Sequence, residues 1–309
     1  MAERGDNNFI RYIYRGEEGE IIPRGATHIT VHKDCTFIRA QAFQEHPNVV
    51  EVICHEGVER IEWQAFVKCP RLIRVIMPGV KNVDVQAFVE CKALTYVECS
   101  MLEIIGDGAF GACISLGNAN LPSARIVEIY AFSGCTALMD VKFGRELERI
   151  EEKVFYGCTS LERITFPLKD CLITEANIFT RCENLKHVDL VETAELYETI
   201  AALHLEEWRN DMNTEIDSIN QILLNARAGD GWDDDSDDDD DGEKARAIRI
   251  WIRSVLQKII QYQEEHQRSL DGAAATLQFL LPRYVTFDLI LPFLELPAHT
   301  FELGEGDDE

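Results

Sequence analysis

The chain has 309 residues and a formal net charge of −25, so it is long enough for one or two domains with a buried core. About half of the net charge lies in two short tracts, with nine acidic residues between positions 230 and 241 and four between 305 and 309. The rest of the surface is still acidic and would repel nucleic acid phosphates and anionic lipid. This charge balance argues against nucleic acid binding and against membrane-surface binding.

The N-terminal residues give no sign of secretion. Residues 1–19 carry several charges and lack the apolar run of a signal peptide. No stretch in the chain reaches 18 uninterrupted apolar residues, the length expected of a membrane-spanning helix. We therefore expect a soluble, intracellular protein of the cytoplasm, with a nuclear location left open.

A phenylalanine recurs every 22 to 24 residues through the first two-thirds of the chain. These residues are Phe43, Phe66, Phe88, Phe110, Phe132, Phe155 and Phe179. Three residues after each Phe stand His46, Cys69, Cys91, Cys113, Cys135, Cys158 and Cys182, and apolar residues keep the same phase six, nine and eleven positions after it. Columns in register over seven copies predict a leucine-rich-repeat solenoid, with one short strand and one helical or 3₁₀ turn in each repeat.

The start of the solenoid is predicted to be a capping repeat. One period before the first full copy, Ala26, Ile29 and Val31 occupy the strand-core positions, and the terminal repeats of a solenoid are atypical because one of their faces meets water. We expect residues 1–20 to form an N-terminal cap segment. Residues 21–190 are then the solenoid, a capping half-repeat followed by seven repeats.

The residues between the core positions of each strand are predicted to face outward, because side chains alternate across a strand. They are Glu51, Ile53, Arg74, Ile76, Tyr96, Glu98, Asn118, Asn120, Asp140, Lys142, Arg163, Thr165, His187 and Asp189. These fourteen residues vary from repeat to repeat and mix charged, amide, aromatic and aliphatic groups. They are our candidate face for binding a protein partner; the alternative is a solvated sheet surface with no partner.

The pattern changes after Leu190. Apolar residues at steps of three to five predict an amphipathic helix in residues 191–228 and a second in residues 243–281. The acidic segment 229–242 is expected to be a disordered linker, and residues 282–309 form a Pro-containing apolar segment with an acidic tail. We expect a helical hairpin that caps the last repeat through the start of its first helix; alternatively, the hairpin projects and forms a homo-oligomer.

Eight of the ten cysteines lie in core columns of the repeat, where a free cysteine acts as a small apolar side chain. We predict a reduced structural ladder; regulatory disulfides and a metal site are the alternatives. The strongest metal candidate is the group His28, His32, Cys35, Cys54 and His55, which the core of a capping repeat explains equally well. The common nucleotide-binding and hydrolase motifs do not occur, so we predict no catalytic residue, no metal and no cofactor.

The segment Ile105–Pro122, with the sequence IGDGAFGACISLGNANLP, resembles the BspA-type leucine-rich repeat. The resemblance covers about residues 21–190 and implies a mixed α/β solenoid that serves as a non-catalytic interaction module. Ala273–Gln278 and Leu291–Pro297 are similar to pieces of related proteins in unicellular algae.

The sequence therefore predicts a protein–protein interaction scaffold with an unidentified protein partner. The first alternative is a structural protein that self-assembles through its C-terminal helices. The second is the surface adhesion that the family resemblance also implies, which the missing signal peptide disfavours.

Overall fold

A computed structural model describes residues 9–169, 172–173, 176–191, 214–226, 242–279 and 281. Up to residue 191 the chain forms a parallel β-solenoid of about seven turns. The main sheet is formed by β1 (Arg11–Tyr14), β2 (His28–Val31), β4 (Glu51–Ile53), β6 (Arg74–Ile76), β8 (Tyr96–Glu98), β10 (Asn118–Leu121), β12 (Asp140–Phe143), β14 (Arg163–Phe166) and β15 (His187–Leu190). A second parallel sheet is formed by β3 (Phe37–Ile38), β5 (Arg60–Ile61), β7 (Asn82–Val83), β9 (Ile104–Ile105), β11 (Ile126–Val127) and β13 (Arg149–Ile150). The predicted solenoid fold is confirmed, whereas the second sheet was not predicted.

The turns that carry the phenylalanines differ from the helical or 3₁₀ turns expected. Only the last of them is a 3₁₀ helix, Ala176–Phe179. In each of the other six turns, the residues two before and two after the Phe have positive φ, as Gln64 (52°) and Lys68 (57°) do around Phe66. Left-handed residues at that spacing prevent a continuous helix. The turn amides instead bond to the next turn, as when the Phe66 N–H donates to the Ala87 carbonyl (2.7 Å).

The phenylalanine rings form one continuous stack through the core. Consecutive ring centroids lie 4.8 to 5.8 Å apart and the planes differ by 13° or less. Tyr14 extends the stack at its N-terminal end, with its ring 5.2 Å from Phe43 and tilted by 55°. The Tyr14 hydroxyl accepts a hydrogen bond from the Arg39 amide (3.1 Å), so the ring that closes the stack is itself held in place.

The cysteine column forms a second ladder beside the rings. Each of the six thiols donates to the carbonyl of a Phe about one turn earlier, at Sγ–O distances of 2.9 to 3.2 Å. His46 occupies the same column in the first repeat, where its Nε2 lies 3.1 Å from the Pro23 carbonyl oxygen. Burial raises the pKa of Cys135 and of Cys182 to about 12 and lowers the pKa of His46. Packing and hydrogen bonding account for these thiols.

Two helices follow the solenoid and form the predicted hairpin. Residues 214–225, here α1, are helical, and α2 spans Glu243–Gln278. The indole N–H of Trp251 on α2 donates to the Glu215 carbonyl on α1 (3.0 Å). Lys258 forms an ion pair with the Glu215 carboxylate. Apolar residues of both helices, among them Ile219 and Ile248, are buried in the same core as the solenoid.

The hairpin covers the last turn of the solenoid. Lys244, near the start of α2, is buried, and its ammonium group donates to three carbonyls, those of Cys182 (2.9 Å), Glu183 (3.1 Å) and Leu185 (3.1 Å). Burial lowers the pKa of Lys244. The predicted cap was the start of the first helix, which lies outside the described residues, as do most of the acidic linker and the C-terminal tail. In the described part, the start of α2 and the later residues of α1 cap the solenoid.

Candidate partner-binding face

The fourteen predicted face residues all lie on the outer side of the main sheet, and each is partly or fully exposed. They form two rows, one at the first position and one at the third position of each strand. Between them lie the apolar core residues, of which Val52, Val75 and Val141 are fully buried. The structure thus brings the predicted residues together on one surface; it does not test whether a partner binds there.

Four residues of the two capping strands belong to this face but were left out of it in the sequence: strand β1 was not predicted, and only the core residues of β2 were. β1 pairs with β2 and β2 with β4, which places Arg11 and His28 in the row of Glu51. The same pairing places Ile13 and Thr30 in the row of Ile53. The capping strands lack the phenylalanine that marks the other repeats. The signal was nevertheless present, because His28 and Thr30 alternate with the predicted core residues Ile29 and Val31.

The N-terminal half of the face is organised around Tyr96. Tyr96 is 46% exposed, the Arg74 guanidinium lies over its ring at 5.0 Å from the centroid, and its hydroxyl donates to the Glu98 carboxylate (3.3 Å). Arg74 also lies 3.8 Å from the Glu51 carboxylate. These contacts join three neighbouring strands and hold an exposed aromatic ring in one orientation.

The charges on the face are nearly balanced. Among the fourteen residues three are Arg or Lys and four are Asp or Glu. Most are paired within the face, as in Asp140 with Lys142 (3.4 Å) and Arg163 with Asp189 (2.5 Å). The strong negative charge of the whole chain therefore does not extend to this surface.

The main sheet is interrupted in the middle. Among the described residues, seven of the eight neighbouring strand pairs are hydrogen bonded and the pair β8 and β10 is not. Across the gap the Cys99 thiol lies 3.8 Å from the Asn120 carbonyl oxygen. Ala119 stands here in a core column that holds Val or Ile in the other repeats. The second sheet and the ring stack continue past this level without a break.

The interruption lies close to a change of polarity along the third position of each strand. The N-terminal strands β1, β2, β4 and β6 present Ile13, Thr30, Ile53 and Ile76 in this row, and β8 presents Glu98. The C-terminal half continues the row with Asn120, Lys142, Thr165 and Asp189. The largely apolar stripe therefore ends at Ile76, one strand before the gap between β8 and β10.

The histidine and cysteine group considered for a metal is dispersed among separate local contacts. His55 Nε2 lies 3.0 Å from the His32 carbonyl oxygen, His32 Nδ1 lies 3.5 Å from Asp34, and the Cys35 thiol donates to the Phe37 carbonyl (3.0 Å). In the part of the chain that the structure describes, no three His, Cys, Asp or Glu side chains form a group suited to a metal ion. Nor does any described helix combine the length and apolar character needed to cross a membrane.

Parallel strands, stacked core columns and an exposed varied face define a leucine-rich-repeat solenoid. Proteins of this class serve as interaction or adhesion scaffolds and are generally not enzymes. The family described as "BspA type Leucine rich repeat region" matches residues 25–126 and 103–202, in six copies. The chain belongs to this family of BspA-type leucine-rich-repeat proteins.

Several solved structures are similar to the chain. A leucine-rich repeat protein from Bacteroides ovatus is 22% identical over 59% of this chain, with a TM-score of 0.42, and the match spans 42% of that protein's length. The leucine-rich repeat protein of T. pallidum is 21% identical over 64% of this chain and 85% of its own, also with a TM-score of 0.42. The pneumococcal vaccine antigen PcpA is 16% identical over 60% of this chain and 67% of its own, with a TM-score of 0.30. No curated protein matches the sequence.

Proposed function

We propose that this protein is an interaction scaffold that binds a protein partner through the exposed face of its main sheet. The observation that carries the proposal is the contrast between core and surface. The buried columns of the strands hold apolar residues from turn to turn, whereas the outward residues of the same strands differ in charge, size and polarity. A surface that varies on a repeated support is suited to recognise one particular partner.

The support is rigid, which favours binding. The face residues project from strands that are backed by the stacked rings and by hydrogen bonds from turn to turn. A face that is already ordered loses little conformational freedom when a partner docks, so more of the contact energy appears as affinity. With the four residues of β1 and β2, the face has eighteen members, close to the roughly 20 to 30 residues that each partner contributes to a standard interface.

Tyr96 and Arg163 are the candidate anchors of the interface. Aromatic and arginine side chains dominate binding energy at protein interfaces, and these two are exposed on opposite sides of the sheet interruption. Tyr96 is held by Arg74 and Arg163 by Asp189. Both are therefore oriented before any partner arrives.

The test is affinity capture from the source organism with the full-length chain. Proteins retained by the wild type should be lost with the double variant Tyr96→Ala, Arg163→Ala. The matched control is Tyr130→Ala, Arg149→Ala, which removes an exposed tyrosine and an exposed arginine away from the main sheet and should retain them. An unchanged set of retained proteins in the face variant would refute the proposal.

A further inference from the structure

We propose that the centre of this face binds an extended peptide segment of the partner through the peptide's main-chain amide groups, using Asn118, Asn120 and Asp140. The inference rests on the proposed function and specifies the form that the bound part of the partner takes. It goes beyond an interaction face in general because it assigns a recognition chemistry to particular residues.

The site is a depression on β10 and β12. Its volume is about 380 Å³ and it is lined by Asn118, Ala119, Asn120, Asp140 and Lys142. It adjoins the interruption between β8 and β10. Ala119, the smallest residue in its core column, lies between the two asparagines and points to the inner side of the strand.

Several polar groups in the depression have no partner within the protein. Among the described residues, neither the Asn118 nor the Asn120 side-chain amide makes a hydrogen bond. The Asp140 carboxylate contacts Lys142 through Oδ2 (3.4 Å), while its Oδ1 is buried without a hydrogen-bond partner. A buried acceptor without a partner is unfavourable, so a ligand with an N–H donor would satisfy Oδ1.

The spacing of the two asparagines fits an extended peptide. They lie two residues apart on the parallel strand β10 and both project from the outer face, so their Cα atoms are about 6.6 Å apart. An extended peptide presents its equivalent peptide groups at nearly the same repeat, about 6.6 to 6.8 Å. Each carboxamide has both donor and acceptor atoms, so Asn118 and Asn120 can each bond to the N–H or the C=O of alternate peptide units.

The surroundings favour an uncharged main chain over a charged ligand. Asp140 and Lys142 oppose each other in sign within the same depression, so neither an anion nor a cation meets a uniform field. Beneath the gap, a separate space of about 10 Å³ is lined by Val97, Leu116 and Phe132 among others. It is too small to admit a side chain, so the peptide's side chains stay above the strand surface while its backbone bonds to the asparagines.

The test uses a phage-displayed library of random 12-residue peptides as the probe against the full-length chain. We expect peptides to be selected whose affinity falls about tenfold or more in Asn118→Ala, Asn120→Ala, since each lost hydrogen bond weakens binding by roughly two- to tenfold. Asn225→Ala, which removes an exposed amide on α1, should bind them like the wild type. N-methylation of the peptide should reduce affinity at alternate residues and leave the residues between them unaffected, because only every second peptide group faces the asparagines.

The possible failures are distinguishable from failure of the proposed function. Selected peptides that ignore the asparagine variant but are lost in Tyr96→Ala, Arg163→Ala would overturn the peptide site and leave the interaction face standing. The same holds if no peptide is selected while a folded partner is captured through the face. An N-methyl scan without a two-residue period would show that side chains, not main-chain amides, are recognised, and would also overturn the inference.

Discussion

Raising the pH from 7 to 9.5 should strongly destabilise the solenoid because of its cysteine ladder. Burial raises the pKa of Cys91, Cys113, Cys135, Cys158 and Cys182 above the usual value for a thiol, to about 12 for Cys135 and Cys182. A thiol in the unfolded chain has a pKa of about 8.5. Between these two values the unfolded chain loses protons that the folded chain retains, so the stability present below about pH 8.5 is lost as the pH rises.

The size of this loss of stability depends only on the pKa of the thiols in the unfolded chain, because the folded thiols remain protonated between pH 7 and pH 9.5. One pH unit above that pKa, each thiol lowers the free energy of unfolding by about 1.4 kcal/mol. The five thiols together therefore lower it by about 7 kcal/mol, which is comparable with the whole stability of a typical domain.

The assay is urea unfolding followed by circular dichroism at pH 7 and pH 9.5, with a reductant present to prevent oxidation. The control is the double variant Cys113→Ala, Cys135→Ala, in which two of the thiols cannot ionise. Its loss of stability between the two pH values should be smaller than that of the wild type by about 3 kcal/mol, whatever its stability at pH 7. An equal loss in both proteins would show that the ladder thiols are not protected from ionisation and would refute this reasoning.

Four further substitutions test the core, the C-terminal cap and the turns by urea unfolding. Phe110→Ala removes a buried ring stacked on both sides and should cost about 3 to 5 kcal/mol; an unchanged stability would mean that the ring stack is not the core. Lys244→Met keeps the apolar stem but leaves three carbonyls of the last turn without their donor, for an expected loss of about 2 to 4 kcal/mol. Ala112→Gly relieves a positive φ of 55° and Gly134→Ala imposes a side chain at 71°, so they should change stability by about 1 kcal/mol in opposite directions; changes of the same sign would contradict the turn geometry.

The solenoid core could be predicted because each of its structural roles is repeated seven times in the sequence. A single Phe or Cys gives little information about its surroundings, but Phe66 and Cys69 recur in register with equivalent residues along the chain. The second sheet lacks such a signal, because strands of two residues are too short to show alternation. The left-handed turn residues also lack a sequence signal, since Gln64 and Lys68 have positive φ although neither is a glycine. Their backbone amides donate to carbonyls of the next turn. These hydrogen bonds impose the conformation and do not depend on residue type.

The cap and the details of the face depend on contacts distant in sequence. Lys244 lies 62 residues after Cys182, whose carbonyl it binds, and a lysine in the first turn of a helix gives no sign of burial. The outward positions of the main sheet, by contrast, followed from alternation along each strand. The interruption between β8 and β10 could not be foreseen, because Ala119 is still an apolar residue in the expected column and only the structure shows that the strands beside it do not pair.

Ala119 departs from the repeat in a place where capping cannot explain it. His46 replaces a cysteine in the first repeat, and Lys244 binds the carbonyls of the last turn. Both lie at the ends of the cysteine ladder, where the column must be closed. Ala119 has complete repeats on both sides, and it underlies the two unpartnered asparagines. We therefore attribute this departure to binding, since local rules are broken most often at functional sites.

Ala119→Val should stabilise the solenoid by about 1 kcal/mol through added apolar burial. It should also protect the amides of β8 and β10 from hydrogen exchange and weaken peptide binding at the depression. Greater stability with unchanged peptide affinity would separate the interruption from the binding site and refute this attribution.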